Sequence, residues 1–189
     1  MSTSLIASDK LDTNSYYFFF KHLFYILIAF FFIIFFSALK QENLFRISIL
    51  FFSIFFICLV LVPFIGVEVK GSKRWIDIFF LPRFQPIELL KPFIIVLITF
   101  VLSSESYKNI YYKYFISFLL ITPVIFLLVT QPDIGQTLLV FLTWLNLIFI
   151  SGINLGIFCL FFVVMLILLF YLIFFVPKFD YILIRLKSF

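Results

Sequence analysis

Long apolar runs separated by short polar segments are the main pattern of the chain. No charged residue lies between Lys21 and Lys40, and none lies between Asp133 and Lys178. Because a helix needs about 20 mostly apolar residues to cross about 30 Å of hydrocarbon, such runs predict transmembrane helices. The second run is long enough for two, and the polar segment SGINLG at 151–156 divides it. The predicted spans lie near 22–39, 47–65, 86–102, 114–130, 134–150 and 157–176.

Composition supports a membrane protein. Hydrophobic residues make up 65% of the sequence and charged residues 12%, whereas soluble domains are about 45–50% apolar. We therefore predict an all-α fold: a polytopic integral membrane bundle of six helices, forming a single membrane domain over residues 1–189. The alternation of spans puts the segments 66–85 and 103–113 on opposite faces of the membrane.

The sequence contains few residues that could serve as metal ligands or catalytic groups of the kind used by soluble enzymes. Cys58 and Cys159 lie inside predicted spans without partner spacing, so neither a metal site nor a structural disulfide is expected. His22 stands alone at the end of a span, where an interfacial side chain is expected rather than a ligand. The polar residues 1–15 do not resemble a signal peptide. We expect no cofactor and no nucleic-acid partner.

A basic loop is the first of three stretches that are unusual in a membrane protein. Its sequence, GVEVKGSKRWIDIFFLPRF at 66–84, contains Lys73, Arg74, Trp75 and Arg83. One interpretation is anchoring, with the cations at lipid phosphates and the Trp in the aromatic belt. Composition alone favours that interpretation.

The second stretch, QPIELLK at 85–91, opens the third span. Pro86 suits a first helical turn because its φ is already helical and its missing N–H would be unbonded there. Glu88 then meets the positive end of the helix dipole, and Lys91 at i+3 can pair with it. Since an ionisable residue costs about 2.5–3.5 kcal/mol at the bilayer centre and less near an end, the pair should face protein or a polar cavity. The alternative is a purely structural ion pair with Lys91 reaching toward the head groups.

The third stretch, QPDIG at 131–135, repeats this logic. We expect Pro132 to begin a helix, Asp133 to cap its positive end and Gly135 to permit a close backbone approach. Taken alone, Asp133 is interpreted as a capping residue.

Together the three stretches resemble the SEDS family of bacterial membrane proteins (FtsW, RodA and SpoVE). The matching motifs are, in order, G-x-K-R-W-I, R-F-Q-P-x-E-x-x-K and Q-P-D-x-G. The segment SYYFFFKHLFYILIAF at 15–30 looks most like the cell-division member, FtsW. Lys70 and Gln136 depart from the family, which often has Asn and Thr at these places.

The resemblance implies a role in cell-wall synthesis. Family members polymerise lipid II, the undecaprenyl-pyrophosphate-linked disaccharide pentapeptide, in the bacterial inner (plasma) membrane. The implied partners are lipid II, a class B penicillin-binding protein transpeptidase and membrane lipids, and a divalent cation is conceivable only for the complete enzyme. This chain aligns with family helices two to seven, and no residue in it matches the family's catalytic aspartate motif.

At the positions that match the family motifs, the resemblance implies a set of substrate-binding residues and no catalytic residue. Arg suits a pyrophosphate because its planar fork donates two hydrogen bonds at once, and a Trp ring offers a flat apolar face to a sugar or prenyl chain. The set is Lys73, Arg74, Trp75, Arg83, Gln85, Glu88, Lys91 and Asp133.

Three functions stay open at this point. The first is a SEDS-type peptidoglycan glycosyltransferase, the second a lipid II flippase, and the third a non-catalytic remnant of a split or decayed gene. The chain alone is expected not to polymerise lipid II, because it lacks the catalytic aspartate motif.

Overall fold

The computed structural model describes residues 16–69, 72–77, 83–105 and 109–176. The predictions for residues 1–15 and for Lys70 lie outside these ranges. The described elements are, in chain order, α1 (Tyr17–Ser37), α2 (Gln41–Ile65), β1 (Val67–Val69), β2 (Ser72–Trp75), α3 (Pro86–Ser103), α4 (Ile110–Thr130), α5 (Ile134–Ile150) and α6 (Leu155–Phe175).

The helices follow the charge-free runs of the sequence, and each predicted span overlaps one helix. By length and composition, α1 to α4 are long and apolar enough to cross a membrane. Two further apolar stretches, Ile134–Ile150 and Leu155–Leu168, are shorter. The predicted all-α, multi-pass membrane fold is confirmed, and the short β1–β2 hairpin is an addition that the hydrophobic pattern did not predict.

The chain divides into two compact units, one ending at Leu44 and the other beginning at Phe45. In the first unit, α1 buries none of its apolar span within the structure, and its exposed side chains are mainly Phe and Ile. A helix that is apolar all round suits contact with lipid. The second unit contains the hairpin and α3 to α6, together with all of the predicted substrate-binding residues.

The core of the second unit lies where α3, α4 and α5 pack against one another, while α6 packs against α5. Its largest buried side chain is Trp144, which is 1% exposed. The indole N–H of Trp144 donates to the buried Ser117 hydroxyl at 3.1 Å, so a polar atom in the core is satisfied. This packing fixes the N-terminal ends of α3 and α5 side by side.

The polar segment that was predicted to divide the long apolar run does so. Gly152 ends α5 with a φ of +90°, and its N–H bonds to the carbonyl of Phe149 while that of Ile153 bonds to the carbonyl of Ile148. This pattern is the Schellman motif, in which a left-handed residue satisfies the last carbonyls of a helix. Asn154 then caps α6 by accepting the N–H of Gly156 at 2.8 Å.

Candidate functional site

A bulge in the hairpin directs Arg74 toward the start of α5. The strands pair antiparallel with a register shift between Val67 and Glu68 that leaves Arg74 without a cross-strand partner. A bulge of this kind re-aims a side chain away from the regular alternation. The guanidinium donates from Nη2 to the carbonyl oxygen of Pro132, and its Nη1 lies 3.4 Å from Oδ1 of Asp133. The basic loop therefore closes onto the third polar stretch.

Asp133 joins three segments of the chain. It is the N-cap of α5, with Oδ1 accepting the N–H of Gln136 at 3.4 Å, and its Oδ2 accepts the side-chain amide of Gln85 at 2.8 Å. With Arg74 beside Oδ1, both carboxylate oxygens are engaged and the residue is 5% exposed. The predicted capping role is confirmed, and the cap also holds the hairpin and the start of α3.

Two details of the QPDIG prediction are wrong. Helix α5 begins at Ile134, so Pro132 precedes the cap instead of starting the helix. A Cβ added to Gly135 would meet Oδ1 of Asp133 at 3.9 Å, which is an ordinary van der Waals contact. Close backbone approach therefore does not require a glycine at this position.

The start of α3 is built as predicted. Pro86 occupies the first turn, and Gln85 is the N-cap residue, although its side chain does not cap the helix. That amide is turned to Asp133 instead. The first turn of α3 is consequently tied to the first turn of α5 through a side-chain hydrogen bond between residues 48 positions apart.

Glu88 and Lys91 form the predicted i,i+3 ion pair, with Lys91 Nζ 2.6 Å from Oε2 of Glu88. Gln136 of α5 joins both members of this pair. Its Nε2 donates to Oε1 of Glu88 at 2.6 Å, and its Oε1 accepts from Lys91 Nζ at 3.1 Å. The side chain of Lys91 is 18% exposed and that of Glu88 48%, so the ammonium is the more enclosed partner. The three side chains close a triangle across the α3–α5 contact.

The remaining predicted residues do not join this centre through polar contacts within the described part of the chain. Arg83 pairs with Asp77, with Nη2 2.9 Å and Nε 3.0 Å from Oδ2, in an exposed position. Lys73 is exposed and Trp75 is half-buried on β2. Within the described part of the chain, no hydrogen bond or ion pair links these three predicted residues to Asp133 or to the triangle.

Sequence reasoning missed two glutamines, one of which is Gln136. The other, Gln131, is 6% exposed and donates its amide to the carbonyl oxygen of Leu59 at 3.1 Å. That carbonyl lacks its usual helical donor because Pro63, four residues later, has no N–H. Pro63 in α2 shows from the sequence that one backbone carbonyl lacks its helical donor, but nothing in the sequence indicates which group bonds to that carbonyl.

Apolar surface lies directly beside the polar centre. Lys91 borders a small cavity of about 20 Å³ between α3, α4 and α5. One face of α5, from Gly135 to Ile150, forms an open and mainly apolar surface. Leu139, Thr143 and Leu147 line both. An ammonium donor next to an apolar wall is an arrangement that can accept an anionic amphiphile.

A family model described as "cell cycle protein", that of FtsW, RodA and SpoVE, matches residues 1–189. The chain belongs to the FtsW/RodA/SpoVE family. The resemblance seen in the three polar stretches is thereby confirmed.

Relatives place the chain near FtsW. It is 35% identical over 107 residues to a probable peptidoglycan glycosyltransferase FtsW of Nitrosomonas europaea, covering 56% of this chain and 27% of that protein. It is 36% identical over 121 residues to the FtsW of Wigglesworthia glossinidia brevipalpis, covering 63% and 32%. The likeness to the division member, predicted from residues 15–30, agrees with these relatives.

Solved structures share the fold. RodA of Thermus thermophilus superposes with a TM-score of 0.62 at 25% identity, over 76% of this chain and 46% of RodA. A chain of a peptidoglycan synthase complex that coordinates polymerization and crosslinking gives a TM-score of 0.66 at 25% identity, over 87% and 48%. The chain therefore spans about a third or less of the length of these curated relatives and under half of the solved ones.

Proposed function

We propose that this chain belongs to a peptidoglycan glycosyltransferase of the inner membrane and contributes a site for the pyrophosphate head of lipid II. One observation carries the proposal: Arg74 and Lys91, from separate elements, are both held at the N-terminal end of α5. A helix N-terminus with nearby cations favours anions, because the helix dipole adds to their charge.

The two carboxylates of the centre fit a positioning role better than proton transfer. Both oxygens of Asp133 accept hydrogen bonds or face Arg74, and both oxygens of Glu88 are engaged by Lys91 and Gln136. A carboxylate occupied in this way orients its cation and is poorly placed to take a proton from a sugar hydroxyl. The proposal thus assigns binding to this chain, and the mainly apolar face of α5 suits the prenyl tail.

Binding of lipid II by the 189-residue chain in lipid nanodiscs tests the proposal. The wild type should prefer lipid II to phosphatidylglycerol, and Lys91→Met should lose most of that preference. Charge-assisted hydrogen bonds contribute about 1.5–3 kcal/mol each, so we expect roughly a 10–100-fold weaker interaction.

A matched control is available at the other end of α3. Lys113 is also partly buried and also donates a hydrogen bond, to the carbonyl of Leu102 at 3.2 Å. Lys113→Met removes the same charge far from the proposed site and should leave lipid II affinity within about twofold, which is less than about 0.5 kcal/mol. Equal losses in the two variants would show a general charge effect and would refute the site.

A further inference from the structure

We propose that Gln136 positions Lys91 for its ligand by clamping the ammonium and the carboxylate of Glu88 into one rigid unit. The inference rests on the proposed pyrophosphate site but assigns a role to a residue outside the matching motifs. It begins from the closed triangle of contacts, 2.6, 3.1 and 2.6 Å long, between α3 and α5.

An amide is suited to this place because it carries a donor and an acceptor without a charge. Gln136 gives its acceptor to Lys91 and a donor to Glu88, so it links groups of opposite sign and changes the charge of neither. A Thr at this position would offer a single short hydroxyl, which cannot hold both groups at these separations.

The clamp also restricts the direction of Lys91. A lysine on a flexible stem has three N–H donors, and here two acceptors, on different helices, fix two of them. The third donor is then confined to a narrow range of directions, which lowers the ordering cost of binding an oxygen ligand. Without Gln136, the one partner that Lys91 would keep among the described residues is Glu88 on the same helix, and the ammonium could swing with that exposed side chain.

Lysine reactivity provides a test that needs no ligand. Wild type and Gln136→Met chains in nanodiscs are treated with a membrane-permeant amine reagent, and labelling of each lysine is followed by mass spectrometry. We expect Lys91 to label several-fold faster in Gln136→Met, while Lys113 serves as the internal reference. An unchanged Lys91 rate would overturn the clamp whatever the variant binds.

Ligand binding is measured on the same samples with farnesyl pyrophosphate, and with farnesol as the uncharged probe. We expect Gln136→Met to weaken farnesyl pyrophosphate binding about tenfold, or about 1.4 kcal/mol, and to leave farnesol binding unchanged. Faster Lys91 labelling with unchanged pyrophosphate affinity would overturn the positioning role. A wild type that binds both probes equally would instead overturn the proposed function, because that comparison does not involve Gln136.

A swapped pair separates positioning from folding. Glu88→Gln with Gln136→Glu keeps the formal charge and the same donor and acceptor groups around Lys91, with the carboxylate moved to α5. The double variant should recover wild-type labelling of Lys91 and at least half of the lost affinity, whereas either single variant should not. Failure of the swap to recover either quantity in a chain of normal helix content would refute the clamp.

Discussion

The bond between Gln131 and the carbonyl of Leu59 supports a quantitative prediction, because the sequence explains why the acceptor is free. Pro63 removes the donor that would normally reach Leu59 within α2. Leu59 is 0% exposed and Gln131 is 6% exposed, so water cannot replace the amide. Gln131→Met should therefore leave an unsatisfied buried carbonyl, at a cost of about 1–3 kcal/mol in unfolding free energy.

The loss of unfolding free energy caused by Gln131→Met should depend on Pro63. In a Pro63→Ala background the backbone N–H of residue 63 can satisfy the Leu59 carbonyl, so Gln131→Met should cost about 0–0.5 kcal/mol there. The difference between backgrounds gives a coupling energy of about 0.5–3 kcal/mol, which is the range found for contacting residues. A coupling near zero would refute the reasoning, because the glutamine would then not be serving the acceptor that the proline frees.

Reversible unfolding in mixed micelles, followed by the fluorescence of buried Trp144, measures these free energies. Pro123 provides the control, since it also lies inside a helix, α4, but about 12 Å along that helix from Gln131. A cycle of Pro123→Ala with Gln131→Met should be additive within about 0.3–0.5 kcal/mol. Equal coupling energies in the Pro63 and Pro123 cycles would mean that replacing any helical proline changes the cost of Gln131→Met, and would contradict a specific bond to Leu59.

Three further predictions follow from the site and the topology. Asp133→Asn should lower the unfolding free energy by about 1–3 kcal/mol, because it removes a charged acceptor and places the new side-chain amide against that of Gln85. The same micelle assay checks this value, and a change below about 0.5 kcal/mol would contradict the prediction. Arg83→Ala and Arg83→Lys should both fold normally, since an exposed pair with Asp77 contributes about 0–1 kcal/mol. The motif-based expectation that Arg83 binds the pyrophosphate requires both variants to lower lipid II affinity in nanodiscs, and full affinity in both would refute that expectation. Cysteines placed at Ser72 and Ser104 should label from opposite sides of the membrane, and equal access from outside intact cells would refute the topology.

The features of this site that could be predicted from the sequence depend on residues that are close together in the chain. Pro86 at a helix start and Asp133 as a cap depend on backbone geometry within a few residues. The pair of Glu88 and Lys91 depends on helical spacing alone. Each of these features is determined by neighbours in the chain, and the motif resemblance then suggested that they belong together.

Tertiary contacts explain what could not be predicted. The direction of Arg74 depends on a one-residue shift in strand pairing, and such a shift leaves little trace in hydrophobic alternation. Gln136 meets Glu88 across 48 residues, and Gln131 meets Leu59 across 72. These partners are selected by how α2, α3, α4 and α5 pack. A polar residue on an apolar helix therefore signals that it needs a partner without indicating which one.

The pairing of cations with carboxylates bears on the interpretation of the basic loop as a head-group anchor. Attraction to an anionic membrane surface amounts to about 1 kcal/mol per Lys or Arg and depends on net charge. Arg74 beside Asp133 and Arg83 beside Asp77 each form a neutral pair, so these arginines add little to such attraction. A neutral pair still offers N–H donors in fixed directions, and Nε of Arg74 is buried without a partner in the described structure. Because that atom exposes less than 1 Å², an incoming phosphate oxygen cannot reach it and has to meet Nη1 or Nη2 instead. Directed binding of an anion therefore explains this arrangement better than diffuse attraction to lipid.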